Sequence, residues 1–299
     1  MSTAHDSGPS EPDDPRWFTD ALAVPVDSGT VHVAGIDVSY RRWDGSGELG
    51  VLLVHGGAAH ARWWDGVAPH LGAGPVVAID LSGHGDSEWR SRYSATLWGV
   101  EVLGAAKALL PSRPTLVGHS MGGLVCLLAA REAGAALNGV IAIDSPINDH
   151  AAIPKSGPAL ERTTSRTEFD RDAMERRWRP MLDSGTMPPW MRRHVARHSI
   201  RATEGGFRWK FDPRFHLAGR IRNVIPSVPE CPLVYVRPEF GLARDEMVEG
   251  MRLERGGERV RVVPLPGAGH NPMLDDSMAL AGLLRDLLID LGVTNEEVA

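Results

Sequence analysis

Two hydrophobic rhythms divide the chain. Over residues 31–40 the order Val-His-Val-Ala-Gly-Ile-Asp-Val-Ser-Tyr alternates apolar and polar positions on either side of a turn, which predicts an antiparallel hairpin at a sheet edge. Six later runs, at residues 51–54, 76–79, 115–117, 140–143, 233–236 and 260–263, are short and apolar almost throughout, as strands covered on both faces should be. Between them, residues 61–71, 94–110, 121–133, 242–253 and 273–291 have helical character; the last carries Leu280, Leu283, Leu284, Leu287 and Leu288 on one face. Strand and helix alternate. The pattern therefore predicts right-handed crossovers and a mostly parallel eight-stranded α/β sheet with helices on both faces.

One interval breaks the alternation. Residues 145–229 are too many for a loop, contain no clear core strand, and mix amphipathic helical pieces with Trp178, Trp190, Trp209, Phe207 and Phe211. They are expected to form a helical cap inserted over the C-terminal edge of the sheet, where open α/β sheets bind ligands. The expected organisation is a disordered tail over residues 1–16, a core built from 17–144 and 230–299, and a cap over 145–229.

Composition narrows the function classes. A chain of 299 residues that is 42% hydrophobic can bury a large core, and its net charge of −6, with basic residues scattered, argues against a nucleic-acid partner. The Ser-, Pro- and Asp-rich start lacks a basic, apolar leader, and no run approaches the roughly 18 apolar residues of a membrane span. A soluble cytoplasmic protein with no membrane contact is expected. Cys126 and Cys231 lack paired or ligand spacing and read as buried thiols. Neither a His/Cys/Asp cluster at metal-ligand spacing, nor a nucleotide-loop Lys, nor a Gly-x-Gly-x-x-Gly after the first strand is present, so neither metal nor organic cofactor is expected.

Chemistry concentrates where strands end. The strand 115–117 runs into Gly118-His119-Ser120-Met121-Gly122 and out through a helical stretch. Small residues at 118, 122 and 123 would let strand and helix backbones approach closely and push the Ser120 hydroxyl out at the sheet edge, at a helix N-terminus that favours an oxyanion. A second glycine-rich turn, Val54-His55-Gly56-Gly57-Ala58, ends the third strand. The backbone N–H of Gly57, with Ala58 as the rival donor, would pair with that of Met121 as an oxyanion hole. His55 reads as a buried structural histidine. Serine needs a base, and His270 stands out among twelve histidines because Pro266-Gly-Ala-Gly-His270 is a flexible turn following a core strand. His119 and His84 lie inside turns, whereas His194, His198 and His216 fall in the cap, where a solvated or substrate-facing position is expected.

These motifs, His55-Gly-Gly57, Gly83-His-Gly-Asp-Ser87, Gly118-His-Ser-Met-Gly122 and Gly267-Ala-Gly-His270, resemble the α/β-hydrolase superfamily over roughly residues 30 to 291. The resemblance implies a serine nucleophile, a histidine that comes last in the chain, and a structural role for Asp80 and the Gly83 turn. It also exposes a departure. Most relatives carry the triad acid after the seventh strand, but the matching stretch here, Val236-Arg-Pro-Glu-Phe-Gly241, has glycine at that position. Glu239, Asp245 or Glu246, and Asp144 at the end of the sixth strand remain. Asp144 is preferred, with Glu239 the fallback, because the end of the strand beside the nucleophile's brings a carboxylate within reach of the same imidazole; some haloalkane dehalogenases and the zearalenone-type lactonases are similar in this respect.

A serine in place of a carboxylate nucleophile disfavours dehalogenase and epoxide-hydrolase chemistry and leaves acyl transfer to water. A small, hydrophobic ester or lactone, a zearalenone-like macrolactone among them, is the expected substrate, with Trp64, Trp89, Trp178, Trp190 and Trp209 as candidate pocket residues. Carbon–carbon hydrolysis of a β-diketone on the same residues, perhydrolysis, and a ligand receptor of the same fold are the alternatives.

Overall fold

The computed structural model describes residues 14–72, 74–146, 167–217, 229–244, 246 and 260–293. An eight-stranded sheet runs through its centre. β1 (Asp27–Val33) and β2 (Ile36–Trp43) form the edge hairpin, and β2 meets β4 (Val76–Ile79) antiparallel. From β4 onward, β3 (Val51–Val54), β5 (Thr115–His119), β6 (Gly139–Ile143), β9 (Leu233–Phe240) and β10 (Val260–Gly269) run parallel. The strand order is β1-β2-β4-β3-β5-β6-β9-β10. All residues of β3 through β6 are buried. That is why these strands carry no alternation: each face must be apolar.

Residues on opposite faces enter different clusters. Leu53, Val117, Ile141 and Val236 pack with Leu280, Leu284, Leu287 and Leu288 of α7 (Ser277–Asp290). Leu52, Leu116, Val140 and Tyr235 pack with Trp98 and Val102 of α2 (Ala95–Leu109) and Val125 and Ala129 of α3 (Met121–Ala133). Ser94 caps α2 by accepting from Leu97 N–H.

Several expectations are corrected. Residues 61–71 form two 3-10 turns, Ala61–Trp64 and Ala68–His70, instead of one helix; Gly66 and Pro69 interrupt helix propagation. The helical stretch near the C-terminus divides into α6 (Pro272–Asp275) and α7, because Asp276 leaves helical geometry to cap Ala279 N–H. Of the expected tail, residues 1–13 lie outside the described residues, whereas Asp14 pairs with Arg193 at 2.8 Å and Arg16 opens α1 (Arg16–Ala23), which buries Phe18. The predicted helix 242–253 lies largely outside the described residues.

The insertion is not purely helical. Its described part contains α4 (Arg171–Arg177), α5 (Pro189–His198) and an antiparallel hairpin of β7 (Ile200–Thr203) and β8 (Gly206–Trp209). The hairpin belongs to a separate two-stranded sheet, so the reading of 145–229 as a helical cap needs this amendment. The segment also engages the loops at the C-terminal edge. His60 and Ser199 side chains lie 2.9 Å apart, His194 contacts Asp65 at 3.0 Å, and Asp212 N–H donates to the Gly83 carbonyl.

Candidate active site

The site is assembled from the C-terminal ends of five neighbouring strands, β3, β5, β6, β9 and β10. Ser120 follows β5 with φ 52° and ψ −117°, a left-handed backbone that costs energy for any residue with a Cβ. Its neighbours are glycine because nothing larger fits. A Cβ on Gly118 would lie 2.5 Å from the Gly122 carbonyl oxygen, one on Gly122 2.4 Å from that of His55, and one on Gly123 1.9 Å from Ser145 Oγ. Ser120 N–H donates to the Ile143 carbonyl at 2.8 Å, fastening the turn to β6.

Asp144 ends β6, also in a left-handed conformation, φ 42°. Its fully buried carboxylate accepts from Leu242 N–H at 2.7 and 3.0 Å and from Ala243 N–H at 3.0 Å. His270 Nδ1 donates to Asp144 Oδ2 across 2.6 Å. The ring is thereby held with Nε2 free to accept a proton. His119 Nε2 donates to the His270 carbonyl at 2.7 Å, and the two rings lie 4.8 Å apart, which sets His270 beside the Ser120 turn.

The rival acid is elsewhere. Glu239 is exposed and accepts from Gly267 N–H at 2.9 Å, so it braces the turn before His270 without reaching the ring. Asp245 lies outside the described residues. Gly241 lies against the same carboxylate: a Cβ there would come within 2.6 Å of both Asp144 carboxylate oxygens. Glycine at this position keeps open the volume that the Asp144 carboxylate fills.

The glycine turn after β3 closes the arrangement. A Cβ on Gly56 would meet Ser120 Cβ at 3.3 Å, so this turn lies against the Ser120 turn, and Ala58 adopts φ 57°. The N–H of Met121 belongs to the first turn of α3, where helix geometry offers it no acceptor. Phe215, which the motifs gave no reason to single out, is brought in by the insertion: its ring would touch a Gly57 Cβ at 3.2 Å, with Met121 Sδ at 3.8 Å. Only its place in the folded segment reveals it.

Burial accounts for the other histidines. His55 donates through Nδ1 to the Gly56 carbonyl and accepts Leu81 N–H at Nε2, and burial lowers its pKa to about 4. Buried Asp80 accepts from Ala61 N–H at 2.6 Å and Asp86 N–H at 2.8 Å, its pKa pushed up to about 6 by burial. His194 pairs with Asp65, and half-buried His198 lines a cavity with Arg62, where burial drives its pKa far down. His216 hydrogen-bonds the Pro213 carbonyl.

The five tryptophans each pack against neighbouring residues. Trp64 is fully buried in the core, and Trp178 packs edge-on against Trp63. Trp190 meets Trp17 and Phe18 of α1, and Trp209 packs against the same core cluster. Trp89 lies under the guanidinium groups of Arg208 at 4.3 Å and Arg201 at 5.5 Å. Bulk in the sequence signalled packing here, which is the commoner use of a large aromatic ring. Among the described residues, no group of three or more His, Cys, Asp or Glu is gathered so as to hold a metal ion, and no helix is long and apolar enough to cross a membrane.

A strained serine at a strand-to-helix turn, a carboxylate-held imidazole beside it, and an eight-stranded sheet of this order meet a matching family pattern: residues 51–283 fit the alpha/beta hydrolase family. The chain belongs to that family. Over 267 residues this hydrolase is 28% identical to the esterase Rv0045c of Mycobacterium tuberculosis, covering 84% of this chain and 86% of that one. The lipase LipV of the same organism is 40% identical over 103 residues, 32% of this chain and 38% of LipV. Among solved structures, Rv0045c superposes with a TM-score of 0.71 at 22% identity, covering 88% of this chain and 92% of that one. An E-2-(acetamidomethylene)succinate hydrolase gives 0.70 at 23% identity, covering 89% and 99%. At such identity the superpositions speak for the fold alone.

Proposed function

We propose that this alpha/beta hydrolase is a serine esterase or lactonase in which Ser120 is the nucleophile, His270 the general base and Asp144 the acid. The observation that carries the proposal is the 2.6 Å bond from His270 Nδ1 to a fully buried Asp144, beside a glycine-locked serine turn. Similarity to an esterase over most of the chain and to a lipase over a third of it favours an ester over other acyl substrates.

In the proposed mechanism, the substrate carbonyl sits against the turn of Gly57 and Met121, whose N–H groups stabilise the oxyanion. Donors of this kind contribute about 3 kcal/mol each to lowering the barrier. Ser120 Oγ attacks the carbonyl carbon while its proton passes to His270 Nε2. Asp144 accepts the hydrogen bond of the Nδ1 proton and stabilises the imidazolium without becoming protonated. The protonated ring then donates to the departing alkoxide, leaving an acyl-enzyme. Water, deprotonated by the same nitrogen, releases the acid and restores Ser120. A hydrophobic lactone such as a zearalenone-like macrolactone fits this chemistry, motivated by the acid's position after β6. With the five tryptophans engaged in packing, the apolar wall nearest the proposed oxyanion turn is Phe215. The domain reading follows the same lines: core residues from 17–144 and 230–299 carry the chemistry, and the insertion covers it.

Fluorophosphonate labelling and p-nitrophenyl ester turnover, compared across Ser120→Ala, His270→Ala, Asp144→Asn and Glu239→Gln, test the assignment. The first three should lose both activities and the fourth retain them. Full labelling of Asp144→Asn would remove the acid from β6.

A further inference from the structure

The turn that carries His270 is held by more than its acid. Asn271, the next residue and buried, donates through Nδ2 to the Leu182 carbonyl at 2.6 Å. Ser184 Oγ donates to Asp275 Oδ1 at 2.8 Å and lies 2.7 Å from Thr186 Oγ1. On the other flank, a Cβ on Gly269 would lie only 2.7 Å from Ser184 Cβ, so the serine packs directly onto the backbone preceding His270. Residues 182, 184 and 186 all belong to the connection between α4 and α5, within the segment inserted between β6 and β9. The insertion thus grips the base's turn on both flanks of His270, at 269 and 271, and again at 275.

We infer that Asn271 is a positioning residue for His270, with Ser184 as its companion on Asp275, so that seating of the 182–186 turn and alignment of the base are one event. The inference rests on the roles of Ser120 and His270 proposed above. Asn271 faces both ways along the chain. Its backbone carbonyl accepts from Leu274 N–H at 2.8 Å and Asp275 N–H at 3.0 Å, starting α6, while its side-chain amide reaches across to the insertion. One residue ties the histidine's backbone to two elements. Imidazole placement matters steeply, since a displacement of about 1 Å in a reacting group can cost about a hundredfold in rate. A residue that merely stabilised the fold would leave the rate of the folded enzyme unchanged.

The test uses Asn271→Ala, Ser184→Ala and the double variant, measuring kcat and KM on a p-nitrophenyl ester, the rate of fluorophosphonate labelling, and the thermal midpoint. Asn271→Ala should lower kcat and the labelling rate about tenfold or more, with KM changed by less than about twofold. Because both residues hold one turn, the double variant should be no worse than about twofold below the poorer single variant, instead of showing the product of the two losses. A folded Asn271→Ala with kcat within about twofold of the parent, or multiplicative losses in the double variant, would overturn the positioning role. Should Asn271→Ala fail to fold, exposed Ser184 carries the test alone: at unchanged KM, a kcat loss of at least about threefold supports the latch and an unchanged kcat overturns it. Ser120→Ala and His270→Ala separate the two ideas. If either remains active, the underlying mechanism fails; if both are dead and the latch variants are normal, only the positioning role does.

Discussion

Gly241→Ala probes the acid at a residue that has no functional group. The added Cβ would sit 2.6 Å from each Asp144 carboxylate oxygen, where ordinary contact begins at 3.4 Å, so something must give by about 0.8 Å. Gly241 does not occupy the left-handed region, so alanine meets no backbone penalty of its own. Either the carboxylate recoils, or the 241–243 turn retreats and takes the Leu242 and Ala243 N–H donors with it. Both routes disturb the bond to His270, which at 2.6 Å would stretch toward the limit of hydrogen bonding. A misplacement approaching 1 Å predicts a loss in kcat of about a hundredfold, below the roughly ten-thousandfold of an acid whose carboxylate is lost outright. Overpacking adds a stability cost of about 1–3 kcal/mol, which leaves a fold of this size intact. Steady-state turnover of a p-nitrophenyl ester, alongside the thermal midpoint, reads both effects. A folded Gly241→Ala enzyme with kcat within about threefold of the parent would refute the placement of the acid after β6, since no acid held there could tolerate the methyl group.

The remaining predictions concern the acid's rival, the aromatic residues and pH. Glu239→Gln should keep kcat within about twofold because its carboxylate contacts a loop N–H, whereas Asp144→Asn should lower it by about four orders of magnitude; equal losses in a turnover assay would count against Asp144. Trp64→Ala should destabilise by about 3–5 kcal/mol in urea unfolding, and Trp190→Phe should leave KM unchanged, since both rings pack the core; a large KM rise with Trp190→Phe would return it to the pocket. On acidification, the unfolded chain takes up a proton near pH 6.5 that buried His55 refuses down to about pH 4, so stability present above 6.5 falls as pH drops through that window, by about 3 kcal/mol for this ring. His60, His84, His119 and His198 are shifted in the same direction, so that five histidines act against the raised pKa values of Asp80 and Asp275. Thermal midpoints that rise between about pH 6.5 and about pH 4.5 would contradict this balance.

Local chemistry made much of the fold legible in advance. Apolar runs long enough for one strand, set between helical stretches, specify a buried parallel sheet because each face needs covering, and the described strands follow them closely. Gly118, Gly122 and Gly123 marked the serine turn because close backbone approach tolerates no Cβ, a requirement that acts on residue type directly. Propensity failed where tertiary partners decide. The 61–71 stretch has apolar spacing for a helix, yet Gly66 and Pro69 divide it into two 3-10 turns, and Asp80, from the end of β4, accepts the Ala61 N–H at the start of the first. Tryptophans conspicuous in composition turned out to be packed, wholly or partly buried, against one another and against arginines, because a large ring contributes most where it is removed from water.

The sequence by itself determined the glycine-bound serine turn, the succession of strands and helices, and a short set of carboxylates from which an acid could come. Only the tertiary structure brings one of them, Asp144, within hydrogen-bonding distance of a histidine. Asp144 and His270 are 126 residues apart, and no local pattern encodes the register that sets β6 beside β9 so that Leu242 and Ala243 N–H groups hold the carboxylate. The role of Gly241 is of the same kind. In the sequence it reads as a missing aspartate; in space it is the volume that lets Asp144 reach the histidine, because two atoms cannot share a site and the fold gave that site to the neighbouring strand.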